Sequence, residues 1–169
     1  MTCPSIVRVA KPADHQEIWR LFLQGHRENG QFSLAPEKVD WFLNRALHPE
    51  LIPAWDTGVR GAIGVIGDVG KLEGLAFVTI SNHWYSHDLH LEELIVYVDP
   101  ECRHSHHARA LIKWMKEQSD RTCLKLMTGV ISNIRTQAKV DLYGRMLPKA
   151  GEFFLYGGSV QSSSAAMAA

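Results

Sequence analysis

The sequence predicts a single α/β domain, a mixed and mostly antiparallel sheet flanked by helices, and three observations carry that expectation. Short β-prone runs alternate with stretches of helical spacing. Two β-rich runs are separated by GDVGK, a turn signal that predicts a hairpin. Further on, a strand stopped by Asp99-Pro100 leads into a helix and then another strand, the arrangement that makes a parallel pair.

Each element follows from its residues. Ile6, Val7 and Val9 form a short strand that stops before Pro12, and Asp14 is placed to cap a helix with the apolar face Ile18, Leu21, Phe22 and Gly25. A second helix is expected over 36–47, with Pro36 in its first turn and Val39, Phe42, Leu43 and Leu47 at helical spacing. Residues 49–60 combine prolines and a glycine without periodicity and read as a surface connection. Strands follow over 61–66, 72–80 and 89–98. The segment SNHWYSHD puts Trp84 and Tyr85 at a hairpin tip, a candidate substrate lip. A helix over 105–118 carries Ala108, Leu111, Ile112 and Met115 on one face. A buried strand over 124–130, a helix over 136–147 with Ala138, Leu142 and Tyr143, and a last strand over 152–156 complete the domain, placed at 1–157. Residues 158–169 lack the apolar content to offset their ordering entropy and are expected to form a mobile tail.

Composition narrows the class. The chain has 169 residues, 46% hydrophobic and 21% charged, enough to bury a core without a metal or disulfide. Its 18 basic and 18 acidic residues cancel, which leaves no general footprint for nucleic acid or an anionic membrane. Three cysteines, Cys3, Cys102 and Cys123, are an odd number at irregular spacing and argue against a disulfide framework. Cys102 and Cys123 are expected as small buried fillers. No signal-peptide pattern and no membrane span is legible, so the expected location is the cytoplasm.

The chemistry concentrates in LEELIVYVDPECRHSHHARA, residues 91–110, where a strand ends and a helix opens just after Arg103. Unpaired N–H groups at a helix N-terminus, with Arg103 and the Ser105 hydroxyl beside them, suit a pyrophosphate. The run YVDPECR followed by H-S-H-H-A resembles motif A of the GNAT superfamily of N-acetyltransferases, in which a strand ending in V-x-P leads into R/Q-x-x-G-x-G/A. Arg103 and Ala108 match its ends, and His106 replaces the middle glycine, where a Cβ crowds the phosphates unless the side chain turns outward. The segment SNIRTQAKVDLYGRMLPKAG is similar to the family's Asn followed by a helix bearing a Tyr, with Asn133 and Tyr143 on the matching positions. R-x-S-x-x-A with a later Y-x-R resembles the version found in bacteriophage and prophage genes.

The resemblance implies an N-acetyltransferase that moves an acetyl group from acetyl-CoA to an amine by direct attack on the thioester. It places the cofactor on Val96, Tyr97, Val98, Arg103, His104, Ser105, His106, His107, Ala108 and Asn133. It implies Tyr143 as the acid that protonates the departing thiolate, and the Val96 N–H as a donor to the thioester oxygen. Glu92 and Glu93 are adjacent on a strand, so only one faces the cleft. Glu92, eleven residues before Arg103, is assigned as base by its family-like spacing. The acceptor is a small-molecule or peptide amine, lying between the first two helices, residues 49–60 and the Trp84 hairpin, with Trp41 and Trp55 as further candidates for its lining. Homodimers occur among such proteins.

Read without the resemblance, Glu92 is a solvated strand charge, Tyr143 a packed aromatic and Asn133 a turn residue. His83, His87 and His90, with His104, His106 and His107, raise a metal site, but no neighbouring Cys or Asp completes a set in sequence, so no metal is expected. Two other functions compete. One is a non-catalytic acyl-CoA-binding or phage-associated protein in which His106 has cost turnover. The other is a transferase modifying a nucleic-acid base, which a basic patch of Arg103, Arg109, Lys113 and Arg135 would favour.

Overall fold

The computed structural model describes residues 6–54, 56 and 58–151. In chain order these form β1 (Arg8–Val9), α1 (His15–Asn29), α2 (Pro36–Leu47), β2 (Gly61–Asp68), β3 (Lys71–Asn82), β4 (Leu89–Val98), α3 (His107–Thr122), β5 (Lys125–Met127) and α4 (Thr136–Met146). The five strands lie in sequence order, antiparallel except for the parallel pair β4–β5. The expected mixed, mostly antiparallel sheet is present. The proposed strand at 152–156, the tail, Cys3 and Trp55 lie outside the described residues.

Alternation along the strands sends side chains into two cores. Ile63, Val65, Leu75, Phe77 and Tyr97 pack with Ile18 and Leu21 of α1 and Leu43 and Leu47 of α2. Ala76, Val78 and Val98 pack on the other face with Leu111, Ile112, Trp114 and Met115 of α3, flanked by Leu142 and Tyr143 of α4. Leu21, Leu111 and Met115 retain no exposed surface, each contributing about 1.5–3 kcal/mol of burial. Two glycines permit the closest approaches. A Cβ on Gly64 would lie 2.6 Å from the Trp114 ring, and one on Gly25 would lie 3.0 Å from Tyr97.

Several local expectations are corrected. Asp14 precedes α1 but does not cap it; it is fully buried and accepts hydrogen bonds from both Arg8 terminal nitrogens (2.7 and 2.8 Å) and from the Lys11 N–H (2.8 Å). These contacts, the Arg8 hydrogen bond foremost, hold its carboxyl below the usual range. Helix α3 starts at His107 because Pro100–Cys102 forms a 3-10 turn capped by the Asp99 side chain. Strand β5 spans three residues and none of them is fully buried. Cys123 is exposed, with φ 56° at the end of α3, and Cys102 is half-buried. No described helix is long and apolar enough to cross a membrane.

Candidate active site

Two irregularities in the sheet build the site. Phe77 pairs with Ile95 but Val78 pairs with Glu93, so Leu94 is an extra residue in β4. A bulge of one residue shifts the side-chain alternation that follows it. Glu93 therefore faces α3 and α4 while Glu92 faces α1 and α2, and beyond the bulge Ile95 and Tyr97 take the α1 side. The second irregularity is in β3, where Ile66 pairs with Gly74 and Gly67 with Leu72, leaving Glu73 as the extra residue.

Strand β4 offers an open edge. Among the described residues, β5 covers it at His90, Leu91 and Glu92 alone. The Asp99 N–H donates to the Glu73 carbonyl at 2.8 Å, which fixes the phase of the antiparallel ladder: the N–H groups of Val98 and Val96 turn the other way, toward the uncovered edge. A cavity of about 870 Å³ lies along that edge, lined by Glu92, Glu93, Val96, Val98, Ala108 and Tyr143 among others. Its size is ample for a small-molecule ligand.

Tyr143 enters from α4 and donates its hydroxyl to Glu93 Oε1 at 2.8 Å. Glu93 Oε2 is buried and has no hydrogen-bond partner among the described residues. Burial pushes the Glu93 carboxyl up to about 7, the Tyr143 hydrogen bond offsetting this only in part. The Tyr143 phenol is itself raised, first by burial and then by the neighbouring Glu93. Glu92, half-buried on the opposite face, also lines the cavity.

The turn into α3 bonds some of its own N–H groups, the Ser105 N–H donating to the Cys102 carbonyl at 3.1 Å. His106 occupies the N-cap position with φ −87° and no side-chain cap, and the His107 N–H is bound by Ser105 Oγ at 3.2 Å. His104, Ser105 and His106 are exposed. The φ of His106 is ordinary for any L residue and its side chain is exposed.

Arg103 departs from expectation. Its guanidinium does not stand free at the turn; Nη2 bonds both Glu28 carboxylate oxygens (2.7 and 2.6 Å) and lies 3.1 Å from the Tyr97 hydroxyl, while Nε reaches the Val98 carbonyl at 3.3 Å. Tyr97 donates its hydroxyl to Glu28 Oε1 at 2.7 Å, so its side chain belongs to the α1 side of the sheet. Burial and the Glu28 carboxylate push the Tyr97 phenol up. Glu28, near the end of α1, carries no sequence signal that would have assigned it to this cluster.

Asn133 does not stand free either. Its Oδ1 accepts from Gln31 Nε2 at 2.5 Å, across from the segment joining α1 and α2. Lys139 adds to the same bridge, donating to Ser132 Oγ (2.5 Å) and Asn29 Oδ1 (3.3 Å). Burial, and next the Arg103 charge, lower the Lys139 ammonium. The Trp84 hairpin tip is 93% exposed and is absent from the cavity lining, as is Trp41, which packs on Phe42 and Arg45. Of the basic residues that the base-modifying alternative would draw on, Arg103 pairs with Glu28, and Lys113 with Glu117 at 3.7 Å.

One cluster was not legible in sequence. The bulged Glu73 meets Cys102 and His107, bringing one ligand atom of each within 4.8 Å of the others. Glu73 Oε2 and His107 Nε2 touch at 2.6 Å. That is a direct hydrogen bond, shorter than the roughly 3.3 Å that separates two tetrahedral ligands each about 2.0 Å from zinc. Burial, then the Glu73 carboxylate, raise the Cys102 thiol.

No protein-family model and no curated protein sequence matches the chain. Solved structures do match. A ribosomal-protein-alanine N-acetyltransferase from Brucella melitensis biovar Abortus 2308 aligns with TM-score 0.61 and 13% identity over 90% of this chain and 99% of that one. An aminoglycoside acetyltransferase from an uncultured soil metagenomic sample aligns with TM-score 0.62 and 12% identity over 92% and 99%. The fold is that of the GNAT acetyltransferases. The same fold also aligns with a transcriptional regulator from Bacillus halodurans C-125, at TM-score 0.63 and 17% identity over 91% and 99%, so fold alone does not assign chemistry.

Proposed function

We propose that the protein is an acetyl-CoA-dependent N-acetyltransferase. The observation that carries this is the open edge of β4, where the N–H groups of Val96 and Val98 face a cavity that Tyr143 also lines. An extended pantetheine arm would pair with such an edge as an added strand does. The uncapped start of α3, with the exposed His104, Ser105 and His106 and the half-buried Ala108, would receive the pyrophosphate.

Acetyl-CoA supplies the activated acyl group, and the chain's own residues do the rest. The Val96 N–H donates to the oxygen on which negative charge develops. Tyr143 gives its proton to the departing sulfur. Glu92, on the opposite face of β4, accepts a proton from the amine, directly or through water. The acceptor amine, a small molecule or peptide, approaches from the α1–α2 side, where Phe22, Val39 and Phe42 line the cavity.

Thiol release from acetyl-CoA in the presence of a panel of primary amines tests the reading. Tyr143→Phe is expected to lower turnover by about 10²-fold or more while leaving acetyl-CoA affinity within about twofold. Unchanged turnover removes Tyr143 from the mechanism. The commitment of Arg103 to Glu28 favours the second reading, a protein that keeps the fold without turnover. Amine-independent coenzyme A binding with no thiol release in any arm would select it.

A further inference from the structure

Glu93 is not used by the chemistry above, yet it is the group that Tyr143 touches. Without the β4 bulge, a residue next to Glu92 would still face away from it, but it would not share a face with Val96 and Val98. The extra residue puts Glu93 on the face that α4 covers, where Oε1 accepts a hydrogen bond from the Tyr143 hydroxyl at 2.8 Å. Oε2 is left buried with no partner among the described residues, an arrangement that costs free energy if the group is a carboxylate. A neutral carboxyl, with its proton shared along the pair, relieves that cost.

We propose that Glu93 is the proton donor behind Tyr143, so that the leaving thiolate is protonated by the pair and not by the tyrosine alone. The inference rests on the acetyl-transfer reading. An isolated buried phenol that gives up its proton becomes a phenolate in an apolar site, which burial disfavours. With Glu93 protonated, the charge passes on to its carboxylate, a weaker base than the phenolate and so less costly to leave in the same site. The amine nitrogen forms its bond to the thioester carbon and the C–S bond breaks with its electron pair passing to sulfur. The Tyr143 hydroxyl turns from Glu93 Oε1 to that sulfur and gives it its proton, and the carboxyl proton, carried on Oε1, passes to the Tyr143 oxygen across the same 2.8 Å contact. The nitrogen sheds one proton on the Glu92 side of the strand, and the Glu93 carboxylate recovers one from solvent when the product leaves. One N–H is lost, one S–H is gained, and nothing is oxidised or reduced.

Among the described residues, the titratable group facing Glu93 is Tyr143. Glu92 points to the other face, and neither Lys125 on β5, Lys116 on α3 nor Lys139 on α4 acts on its titration, which burial dominates. Raising the pH through the Glu93 ionisation therefore replaces a proton donor with a negative charge beside the phenol.

Glu93→Gln preserves shape and removes the proton, and Glu93→Asp keeps an acid but withdraws it from Tyr143. Both variants, Tyr143→Phe and the Glu93→Gln/Tyr143→Phe double variant are assayed for thiol release from acetyl-CoA, with water or primary amines as acceptor, between pH 6 and 9. The expected result is a roughly tenfold or greater fall in kcat for Glu93→Gln and Glu93→Asp with KM for acetyl-CoA within about twofold, and a double variant no slower than Tyr143→Phe. The wild-type profile is also expected to carry a loss above about pH 7 that Glu93→Gln lacks. Infrared difference spectra of the unliganded protein should show a protonated carboxyl band, present at pH 6, absent at pH 8 and missing in Glu93→Gln. Additive effects, or no such band, overturn the relay. If the wild type binds acetyl-CoA and releases thiol and Glu93→Gln matches it, the relay alone is refuted. If the wild type neither binds acetyl-CoA nor releases thiol, the transferase reading falls and the relay falls with it.

Discussion

Replacing Glu93 by Gln should change how stability depends on pH, and the size of the change follows from the site. The carboxyl ordinarily titrates near 4.5 and in the folded protein near 7, because burial disfavours its charge. Below the unfolded value both states hold the proton and the group does not affect pH dependence. Between the two values the folded state keeps a proton that the unfolded state has lost, so stability falls as pH rises, by about 1.36 kcal/mol per unit. Above the folded value the loss is complete. Summed across the interval, wild-type stability relative to Glu93→Gln should drop by about 3 kcal/mol between pH 4 and 8. With a urea slope of roughly 1–3 kcal/mol/M, the gap between the two midpoints would move by roughly 1–3 M. Urea unfolding of both proteins at pH 4, 5, 6, 7 and 8 measures this. The comparison cancels every other titrating group, and a constant offset from the altered Tyr143 contact does not change the slope. A gap that stays flat with pH would refute the argument, since it would mean the carboxyl is solvated and the cavity floor wet.

Two further perturbations probe the scaffold and the turn. Asp14→Ala strands the Arg8 guanidinium and the Lys11 N–H, and should cost about 3 kcal/mol, at the low end for a buried pair because Arg8 keeps some contact with water. A fall in Tm of roughly 6–12 °C by calorimetry is expected, and a shift under about 2 °C would contradict it. Glu28→Gln weakens the hold on Arg103, so acetyl-CoA should bind up to roughly tenfold tighter at low salt, whereas Arg103→Ala should weaken it. A weaker Kd for Glu28→Gln would show that Glu28 positions Arg103 instead of competing for it.

The sheet was legible because its signals are periodic and local. The turn GDVGK and the long apolar runs on either side of it leave little choice of pairing, and Asp99-Pro100 stops β4 where it was expected to stop. The helix at 36–47 was legible to the residue, since Pro36 and the apolar spacing agree. What the sequence did not show depends on insertions of one residue and on contacts across long separations. No local pattern distinguishes Leu94 or Glu73 as the extra residue in its strand, yet the first decides which neighbouring glutamate meets Tyr143 and the second brings Glu73 to His107. Asp14 has the residue type of a cap, and the competing Arg8 six positions earlier won its side chain. Arg103 matches a phosphate-binding position by type, while its partner Glu28 lies 75 residues away and is brought to it by α1 packing on the sheet. Trp84 was conspicuous for its size, but a hairpin tip projects away from the sheet whose edge makes the cavity.

In the proposed function, the edge of β4 and the start of α3 together hold acetyl-CoA. Calorimetric titration of the purified protein with acetyl-CoA, beside coenzyme A and ATP as controls, tests it most directly. Binding of acetyl-CoA and coenzyme A in about the micromolar range, with ATP much weaker, is the predicted result, since ATP has phosphates for the turn and no arm for the strand edge. Absence of binding at about millimolar acetyl-CoA would contradict it.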